Sequence, residues 1–211
     1  MISAVEALKR LQEGNRRFVS NQSGPVLWNS ERRAQLVAGQ EPFAIVLGCS
    51  DSRVPAELVF DQGFGDLFVI RVAGNIVAPS QVGSVEFAAA GFGTRLVVVI
   101  GHSQCGAVSA AVDELLGHTT NQSRNLRSIV DRVRPAAETV MASRKDHDRD
   151  SLIREAVRAN VRASADHLRH GSELLERLIQ TSGLLVVGAE YSLDTGIVDF
   201  FEGVPDAAKY A

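Results

Sequence analysis

LVVVIGHSQCGAV, residues 96–108, joins an unbroken apolar run to a histidine, a cysteine and a glycine. Its first part is rich in β-branched residues and does not alternate with polar ones, which is typical of a strand covered on both faces in a parallel sheet. A buried parallel sheet is therefore predicted. Three further runs with a similar apolar composition are FAIVLG (43–48), LFVIRV (67–72) and LLVVGA (184–189).

Helical segments precede these strands and lie between them. Residues 3–20 predict an amphipathic helix, because apolar side chains recur at helical spacing with charged ones between them. Residues 30–38 predict a second helix, and a short third helix is expected within 80–93. A long helical region is expected at about 107–181, interrupted by the charged stretch 142–150.

The last apolar run, GIVDFF (196–201), follows the turn signal SLDTG and predicts an antiparallel edge strand. Strands that alternate with helices predict an α/β fold. We expect a central, mostly parallel four-stranded sheet with this added edge strand, flanked by helices. Residues 1–211 are expected to form a single domain, in which residues 1–40 are an N-terminal helical arm that embraces the partner in a dimer.

Composition narrows the class of protein. The 211 residues are 45% hydrophobic and 22% charged, as in an ordinary globular protein, and the net charge of −3 favours no nucleic-acid partner. No apolar run approaches the roughly 20 residues that span a bilayer, and the N-terminus lacks the apolar core of a signal peptide. We therefore expect a cytoplasmic protein with no membrane or nucleic-acid partner. In that compartment its two cysteines serve a metal or catalysis.

Both cysteines follow predicted strands. Cys49 directly follows the run 43–48. His102 and Cys105 follow the run that begins at residue 96, and they are three positions apart. Because the carboxyl ends of parallel strands meet at one edge of a sheet, these three side chains are expected to converge. Two thiolates and one imidazole are typical of a three-ligand zinc site with an open fourth position. Helix N-termini expected near both cysteines would favour the thiolate forms.

Other interpretations of these residues were weighed. Taken singly, each cysteine is more often a small buried residue, and His102 is more often a hydrogen-bonded loop histidine. Their joint occurrence at one predicted sheet edge favours a metal site. A catalytic cysteine–histidine dyad is the nearest alternative, but it leaves the second cysteine without a role.

The segment CSDSR, residues 49–53, places a carboxylate and a guanidinium beside the first ligand. Asp51 is close enough in sequence to reach the metal's fourth position, or to accept a hydrogen bond from a water there. Arg53 is close enough to pair with that carboxylate and withdraw it from the metal. Taken by itself, the DSR segment is most simply explained by a local salt bridge between Asp51 and Arg53. Because Cys49 lies directly before it, a role for this pair at the metal site is favoured.

The paired motifs CSDSR (49–53) and HSQCG (102–106) resemble those of the β-class carbonic anhydrases. The similarity extends over nearly the whole chain, from LQEGNRRFV to VVGAEYSLDTGIV. It implies reversible, zinc-dependent hydration of carbon dioxide to bicarbonate and a proton. It also implies one Zn²⁺ per chain, with Cys49, His102 and Cys105 as the ligands.

The same resemblance assigns roles to the neighbouring charged pair. Asp51 and Arg53 match the catalytic dyad of the family. In its closed members the aspartate is the fourth zinc ligand, and in its open members it pairs with the arginine. A tryptophan three residues before the first cysteine marks a bicarbonate-regulated subgroup; Val46 stands there, although Arg71 and Tyr191 match that subgroup. We therefore expect the non-allosteric, open-site subtype.

A substrate pocket is also implied by the resemblance. The side chain of Gln40 and the backbone N–H of Gly106 would donate hydrogen bonds to oxygens of carbon dioxide or bicarbonate. Phe68 would line the pocket, and Phe87 stands where many members carry a tyrosine, so the hydrogen bond from that phenol is absent. Family members are built from dimers with the pocket near the subunit interface, which implies a homodimer or homotetramer.

Two alternative functions remain open from the sequence. Relatives within the family hydrolyse carbon disulfide or carbonyl sulfide, and the sequence does not define the shape of the access route that would separate these substrates. An inactive, zinc-bound regulatory module is the alternative from another class. The presence of Asp51, Arg53 and Gln40 argues against it.

Overall fold

The computed structural model describes residues 2–22, 29–118, 123–143 and 148–208. The strands are β1 (Ala44–Gly48), β2 (Leu67–Arg71), β3 (Leu96–His102), β4 (Leu185–Tyr191) and β5 (Val198–Glu202). The α-helices are α1 (Ala4–Val19), α2 (Ser30–Gln35), α3 (Ala56–Val59), α4 (Pro79–Gly91), α5 (Gly106–Leu115), α6 (Arg124–Ser143), α7 (Arg149–His170) and α8 (Glu173–Ser182). Short 3₁₀ segments are Leu36–Ala38, Ala73–Asn75 and Asp206–Ala208.

The five strands form one sheet in the order β2-β1-β3-β4-β5. Strands β2, β1, β3 and β4 run parallel to one another, and β5 is antiparallel to β4. The predicted α/β fold, with four parallel strands and an added edge strand, is therefore confirmed. β3 runs one residue further than expected, so that His102 is itself a strand residue and pairs with Tyr191.

Helices cover both faces of the central strands, which explains why their sequences are continuously apolar. Every residue of β1 and β3 is buried. Because successive side chains point to opposite faces, the two sides of β1 belong to different cores. Val46 packs in the core that contains Leu8 of α1, whereas Ile45 and Leu47 pack in the core that contains Leu168 of α7.

The N-terminal segment divides into two parts. Helix α1 packs on the core of its own chain, where Leu8 and Leu11 are fully buried. Gly14 allows α1 to approach the end of α3 closely, since a Cβ there would lie 1.8 Å from the backbone oxygen of Phe60. No residue of α2 is buried. The embrace of a partner chain by residues 1–40 stays a prediction.

The long helical region predicted at 107–181 contains four separate helices in the described part of the chain, α5 to α8. At the charged stretch 142–150, α6 ends at Ser143 and α7 begins at Arg149, with the Asp148 side chain capping α7. Residues 144–147 lie outside the described part of the chain. Among the helices that are described, none combines the length and the apolar character needed to cross a membrane.

Candidate metal centre

Cys49, His102 and Cys105 meet at the carboxyl edge of the sheet. Cys49 directly follows β1, His102 ends β3, and Cys105 precedes the first residue of α5. Their ligand atoms all lie within 4.8 Å of one another, and the two cysteine Sγ atoms are 4.0 Å apart. All three residues are buried. The structure thus brings together the three residues that the motif spacing selects.

The imidazole of His102 is oriented by a backbone carbonyl. Its Nδ1 lies 2.8 Å from the carbonyl oxygen of Ser103, which can only accept, so Nδ1 carries the hydrogen. Nε2 is buried and has no hydrogen-bond partner within the described ranges. A buried polar atom without a partner is rare and requires an explanation. An Nε2 lone pair aimed at a metal ion supplies one, because the bond at Nδ1 fixes the tautomer that metal binding needs.

A tight turn after β3 places Cys105 beside the other two residues. Gln104 has a φ of 58°, in the left-handed region, and this reverses the chain between the strand and α5. Ser103 secures the turn to β4: its N–H donates to the Tyr191 carbonyl at 2.9 Å, and its Oγ accepts from the Leu193 N–H at 2.9 Å. Cys105 therefore occupies a fixed position at the N-terminus of α5.

The two sulfurs receive different support. Cys105 is the N-cap residue of α5, as predicted, and the partial positive charge of that helix end favours a thiolate. The helix start expected near Cys49 is wrong, because the next helix, α3, begins seven residues later at Ala56. The Cys49 sulfur is instead supported by a backbone donor, the Gly74 N–H, which lies 3.4 Å from Sγ.

The pKa values of the two cysteines are shifted in opposite directions. Hydrogen bonding from the Cys105 thiol, joined by the Gly74 N–H, lowers the pKa of Cys49 to about 4 against the opposing effect of burial. Hydrogen bonding to the Cys49 thiolate, together with burial, raises the pKa of Cys105. Both shifts favour Cys49 as the sulfur that loses its proton first, and the thiolate is the form that binds a metal cation.

Asp51 and Arg53 form a pair at the edge of this cluster. The Arg53 side chain donates from Nε to Oδ1 at 2.9 Å and from Nη2 to Oδ2 at 2.7 Å, and its backbone N–H donates to Oδ1 at 3.0 Å. The Arg53 hydrogen bond holds the pKa of the Asp51 carboxyl well below its usual range. Asp51 Oδ2 is 3.8 Å from His102 Nε2. An ionised carboxylate is therefore held next to the ligands by its arginine.

Two contributors from β2 and the turn after it were missed as site residues. Arg71 was considered only in relation to a regulated subgroup, yet its Nε donates to the Cys49 carbonyl at 3.0 Å and its Nη2 to the Asp51 carbonyl at 2.6 Å. Gly74 donates to the Cys49 sulfur. Both lie at the carboxyl end of β2, the neighbour of β1, and this position in the predicted sheet is the signal that could have identified them.

Of the implied pocket residues, Gly106 lies beside the ligands. It follows Cys105 and begins α5. The N–H groups in the first turn of a helix have no partner within the helix and point outward from its end. The backbone of Gly106 thus presents a donor at the same edge of the sheet as the three ligands.

The other three implied pocket residues lie toward the opposite end of the first two strands. Phe68 pairs with Ile45, four positions before Cys49, which corresponds to roughly 13 Å along the strand. Gln40 precedes β1 altogether. The Phe87 ring is 6.1 Å from that of Phe68 and is 60% exposed. Within one chain, these side chains do not meet the metal ligands.

An open groove lies at that end of the sheet, with a volume of about 580 Å³. Two large apolar side chains near it are strongly exposed, Val37 at 86% and Phe64 at 47%. The lining residues are Arg33, Leu36, Val37, Gly39, Gln40, Phe64, Gly65 and Phe92. The groove is therefore a largely apolar surface that includes one of the implied pocket residues.

Comparison with known proteins gives a single family. A family model described as carbonic anhydrase matches residues 44–198. Carbonic anhydrase 2 of Mycobacterium tuberculosis is 38% identical over 192 residues, which cover 91% of this chain and 90% of that protein. A carbonic anhydrase of Mycolicibacterium smegmatis is 37% identical over 205 residues, which cover 97% of each chain.

Solved structures agree with the sequence relatives. A β-carbonic anhydrase of Aspergillus fumigatus superimposes with a TM-score of 0.74 at 25% identity, covering 97% of this chain and 94% of that one. One of two tetrameric β-carbonic anhydrases from Sordaria macrospora superimposes with a TM-score of 0.69 at 27% identity, covering 82% and 87%. Fold, Cys–His–Cys cluster and relatives agree, and the chain belongs to the β-class carbonic anhydrases, whose general activity is the hydration of carbon dioxide.

Proposed function

We propose that this chain catalyses the reversible hydration of carbon dioxide to bicarbonate and a proton with one Zn²⁺ per chain, held by Cys49, His102 and Cys105. The observation that carries the proposal is the buried Cys–His–Cys cluster with an arginine-held carboxylate at its edge. Zinc held there would act as a Lewis acid that lowers the pKa of a bound water and so supplies a hydroxide nucleophile.

The donor set supports zinc on geometric grounds. Two sulfurs at about 2.3 Å from a tetrahedral zinc would be roughly 3.8 Å apart. Cys49 Sγ and Cys105 Sγ are 4.0 Å apart, and the buried His102 Nε2 has its lone pair free for a third bond. Soft thiolates with imidazole also favour zinc over magnesium or calcium, which bind oxygen ligands.

Asp51 would orient the attacking water. Because both of its oxygens accept from Arg53, the carboxylate is held ionised and turned toward the guanidinium. A carboxylate oxygen retains a further lone pair, so Asp51 can still accept a hydrogen bond from water beside the ligands. This arrangement supports the open-site form, in which the aspartate is not a metal ligand.

The first turn of α5 would stabilise the charge that develops on the substrate. As hydroxide adds to carbon dioxide, negative charge spreads over the oxygens of the nascent bicarbonate. The Gly106 N–H lies at a helix N-terminus beside the ligands, where both the donor and the helix dipole favour an anion.

A second copy of the chain would complete the substrate pocket. Gln40, Phe68 and Phe87 lie away from the ligands of their own chain, and Phe87 is well exposed. The apolar groove beside Gln40 would be covered in a homodimer, which would allow the partner to present these side chains to the site. We propose a homodimer or a tetramer built from such dimers; the Sordaria macrospora relatives are tetrameric.

A cytoplasmic location is part of this proposal. Cys49 and Cys105 form no disulfide, and their sulfurs lie 4.0 Å apart. A reducing compartment keeps such a pair available as metal ligands, whereas an oxidising one favours disulfides.

The decisive experiment combines metal analysis with stopped-flow carbon dioxide hydration. We expect one zinc per chain and rapid hydration in the wild type, loss of both on chelation, and recovery when zinc is restored. Cys105→Ser should reduce the zinc content, and Asp51→Asn should keep zinc but lose at least about tenfold in activity. Asp166→Asn, at an exposed surface carboxylate, is the matched control. Full zinc loading without hydration between pH 7 and 9 would refute the proposed activity.

A further inference from the structure

The turn after β2 contacts the first metal ligand. The Gly74 N–H donates to Cys49 Sγ at 3.4 Å. Gly74 has a φ of 69° and the next residue, Asn75, has a φ of 43°. A non-glycine residue in this left-handed region is uncommon and persists where its surroundings hold it. The direction of the Gly74 N–H therefore depends on whatever fixes this turn.

Helix α7 fixes the turn through two buried polar side chains. Asn160 Nδ2 donates to the Gly74 carbonyl at 2.8 Å, and Ser164 Oγ donates to the Asn75 carbonyl at 3.0 Å. Asn160 is 2% exposed and Ser164 is 5% exposed. Four residues apart, they share one face of the helix. Because buried polar groups are costly unless hydrogen-bonded, each bond locks one carbonyl of the turn.

The same face of α7 packs directly on the strand that carries His102. Gly101 precedes that histidine, and a Cβ there would lie 2.7 Å from Cγ2 of Val161. Val161 lies between Asn160 and Ser164 in the sequence and is fully buried. One helix face therefore positions both the backbone donor to Cys49 and the end of β3.

We propose that Asn160 and Ser164 are positioning residues for the Cys49 ligand. They hold the turn so that the Gly74 N–H stays bonded to the sulfur, and they thereby set its donor strength and the metal affinity. The inference rests on the metal site of the proposed function. Hydrogen bonds to a ligand tune the metal, and loss of such outer partners typically weakens metal affinity about 10- to 100-fold.

The test uses Asn160→Leu and Ser164→Ala, with Thr94→Val as the matched control. Thr94 is fully buried, and its Oγ1 donates to the Pro42 carbonyl at 2.7 Å, so the control removes the same kind of bond at the amino end of β3. Zinc affinity is measured by competition with a chelator. The cobalt(II) form is used to record the thiolate-to-metal charge-transfer band, which responds to hydrogen bonding at sulfur and not to stability.

We expect Asn160→Leu to weaken zinc binding about 10- to 100-fold and to move the cobalt charge-transfer band to lower energy. Ser164→Ala should change the zinc affinity and the band energy in the same directions, by smaller amounts. If Asn160→Leu does not fold, Ser164→Ala alone is the test. Thr94→Val should leave affinity within about twofold and the band unmoved. Wild-type affinity and an unmoved band in folded Ser164→Ala would overturn the inference. Neither readout uses carbon dioxide, so failure of the proposed activity is a separate result.

Discussion

Arg53 holds both carboxylate oxygens of Asp51, from Nε to Oδ1 at 2.9 Å and from Nη2 to Oδ2 at 2.7 Å. The carboxylate lies 3.8 Å from the Nε2 atom of His102 and is nevertheless turned toward the guanidinium. Such a two-point bond is available to arginine and not to lysine, whose ammonium is a single point of charge. The two hydrogen bonds thus hold the Asp51 carboxylate against the guanidinium, beside the Cys–His–Cys cluster.

Arg53→Lys should therefore uncouple metal binding from activity. We expect zinc content to stay at the wild-type value and carbon dioxide hydration to fall about 10- to 100-fold, because Asp51 is no longer withheld from the metal. Stopped-flow kinetics and metal analysis on the same preparation check this. Arg134→Lys is the control, since Arg134 bonds Glu114 at 2.5 Å near the far end of α5. Wild-type activity in Arg53→Lys would contradict the role assigned to the pair.

Activity should be restored by mixing two inactive variants if Gln40 acts across the dimer. A Gln40→Ala chain keeps its metal ligands, and a Cys105→Ser chain keeps Gln40. After subunit exchange, half of the dimers are mixed and each has one complete site, so about a quarter of wild-type activity should return.

Stopped-flow assays before and after mixing measure this recovery. The control is a mixture of Cys105→Ser with Cys49→Ser, in which neither chain has a complete ligand set and no activity should appear. A mixture of the Gln40→Ala and Cys105→Ser chains that exchanges subunits and stays inactive would count against a pocket shared between chains.

The close approach of α1 to α3 makes Gly14 sensitive to any side chain. Gly14→Ala would place a Cβ 1.8 Å from the Phe60 carbonyl oxygen, a contact that only backbone movement relieves. We expect a loss of about 1–3 kcal/mol in the free energy of unfolding. Gly83→Ala is the matched control, because no atom lies within 4 Å of a Cβ there and α4 should gain about 0.5–1 kcal/mol. Equal denaturation midpoints for the two variants would be inconsistent with this packing.

The ion pair between Asp113 and Arg149 joins α5 to α7 with bonds of 2.6 and 2.9 Å. The Arg149 hydrogen bond lowers the pKa of the Asp113 carboxyl. A pKa lowered on folding adds stability above the unfolded-state pKa, and this stability is lost as the pH falls through the folded-state value. The wild type should thus exceed Asp113→Asn in unfolding free energy at pH 7, by less than about 1 kcal/mol for this partly exposed pair.

Chemical denaturation at several pH values tests the sign. The difference between the wild type and Asp113→Asn should shrink below about pH 4 and disappear once the carboxyl is protonated. A constant difference down to the acid limit would show that the mutation acts through packing and not through charge.

The Cys–His–Cys cluster could be found in the sequence because it follows from the pattern of the strands. Cys49 and His102 end runs that are apolar throughout, and such runs lie inside a parallel sheet whose carboxyl ends share one edge. Cys105 follows within one tight turn. Local spacing and one rule of sheet geometry were enough to bring these three residues together, and the α/β fold follows from the same runs.

The supporting hydrogen bonds were not predictable in that way. The Gly74 N–H reaches Cys49 over 25 positions, and Asn160 reaches Gly74 over 86. A backbone donor carries no residue-type signal, and a buried asparagine within a helix has no repeating pattern. These contacts depend on how α7 packs against β3 and the adjacent turn.

The sequence by itself determined the strands of the central sheet, the meeting of Cys49, His102 and Cys105 at its carboxyl edge, and the nearness of Asp51 to Arg53. Apolar runs and close spacings are local patterns, and the shared edge of parallel strands brings Cys49 to His102. The tertiary structure alone decided that Arg53 donates to both oxygens of Asp51 and that α7 hydrogen-bonds the turn whose Gly74 N–H donates to Cys49. It also decided that Gln40 lies at the other end of β1 from Cys49. These features arise from packing between elements distant in the chain, and hydrophobic burial, which drives that packing, has no direction of its own.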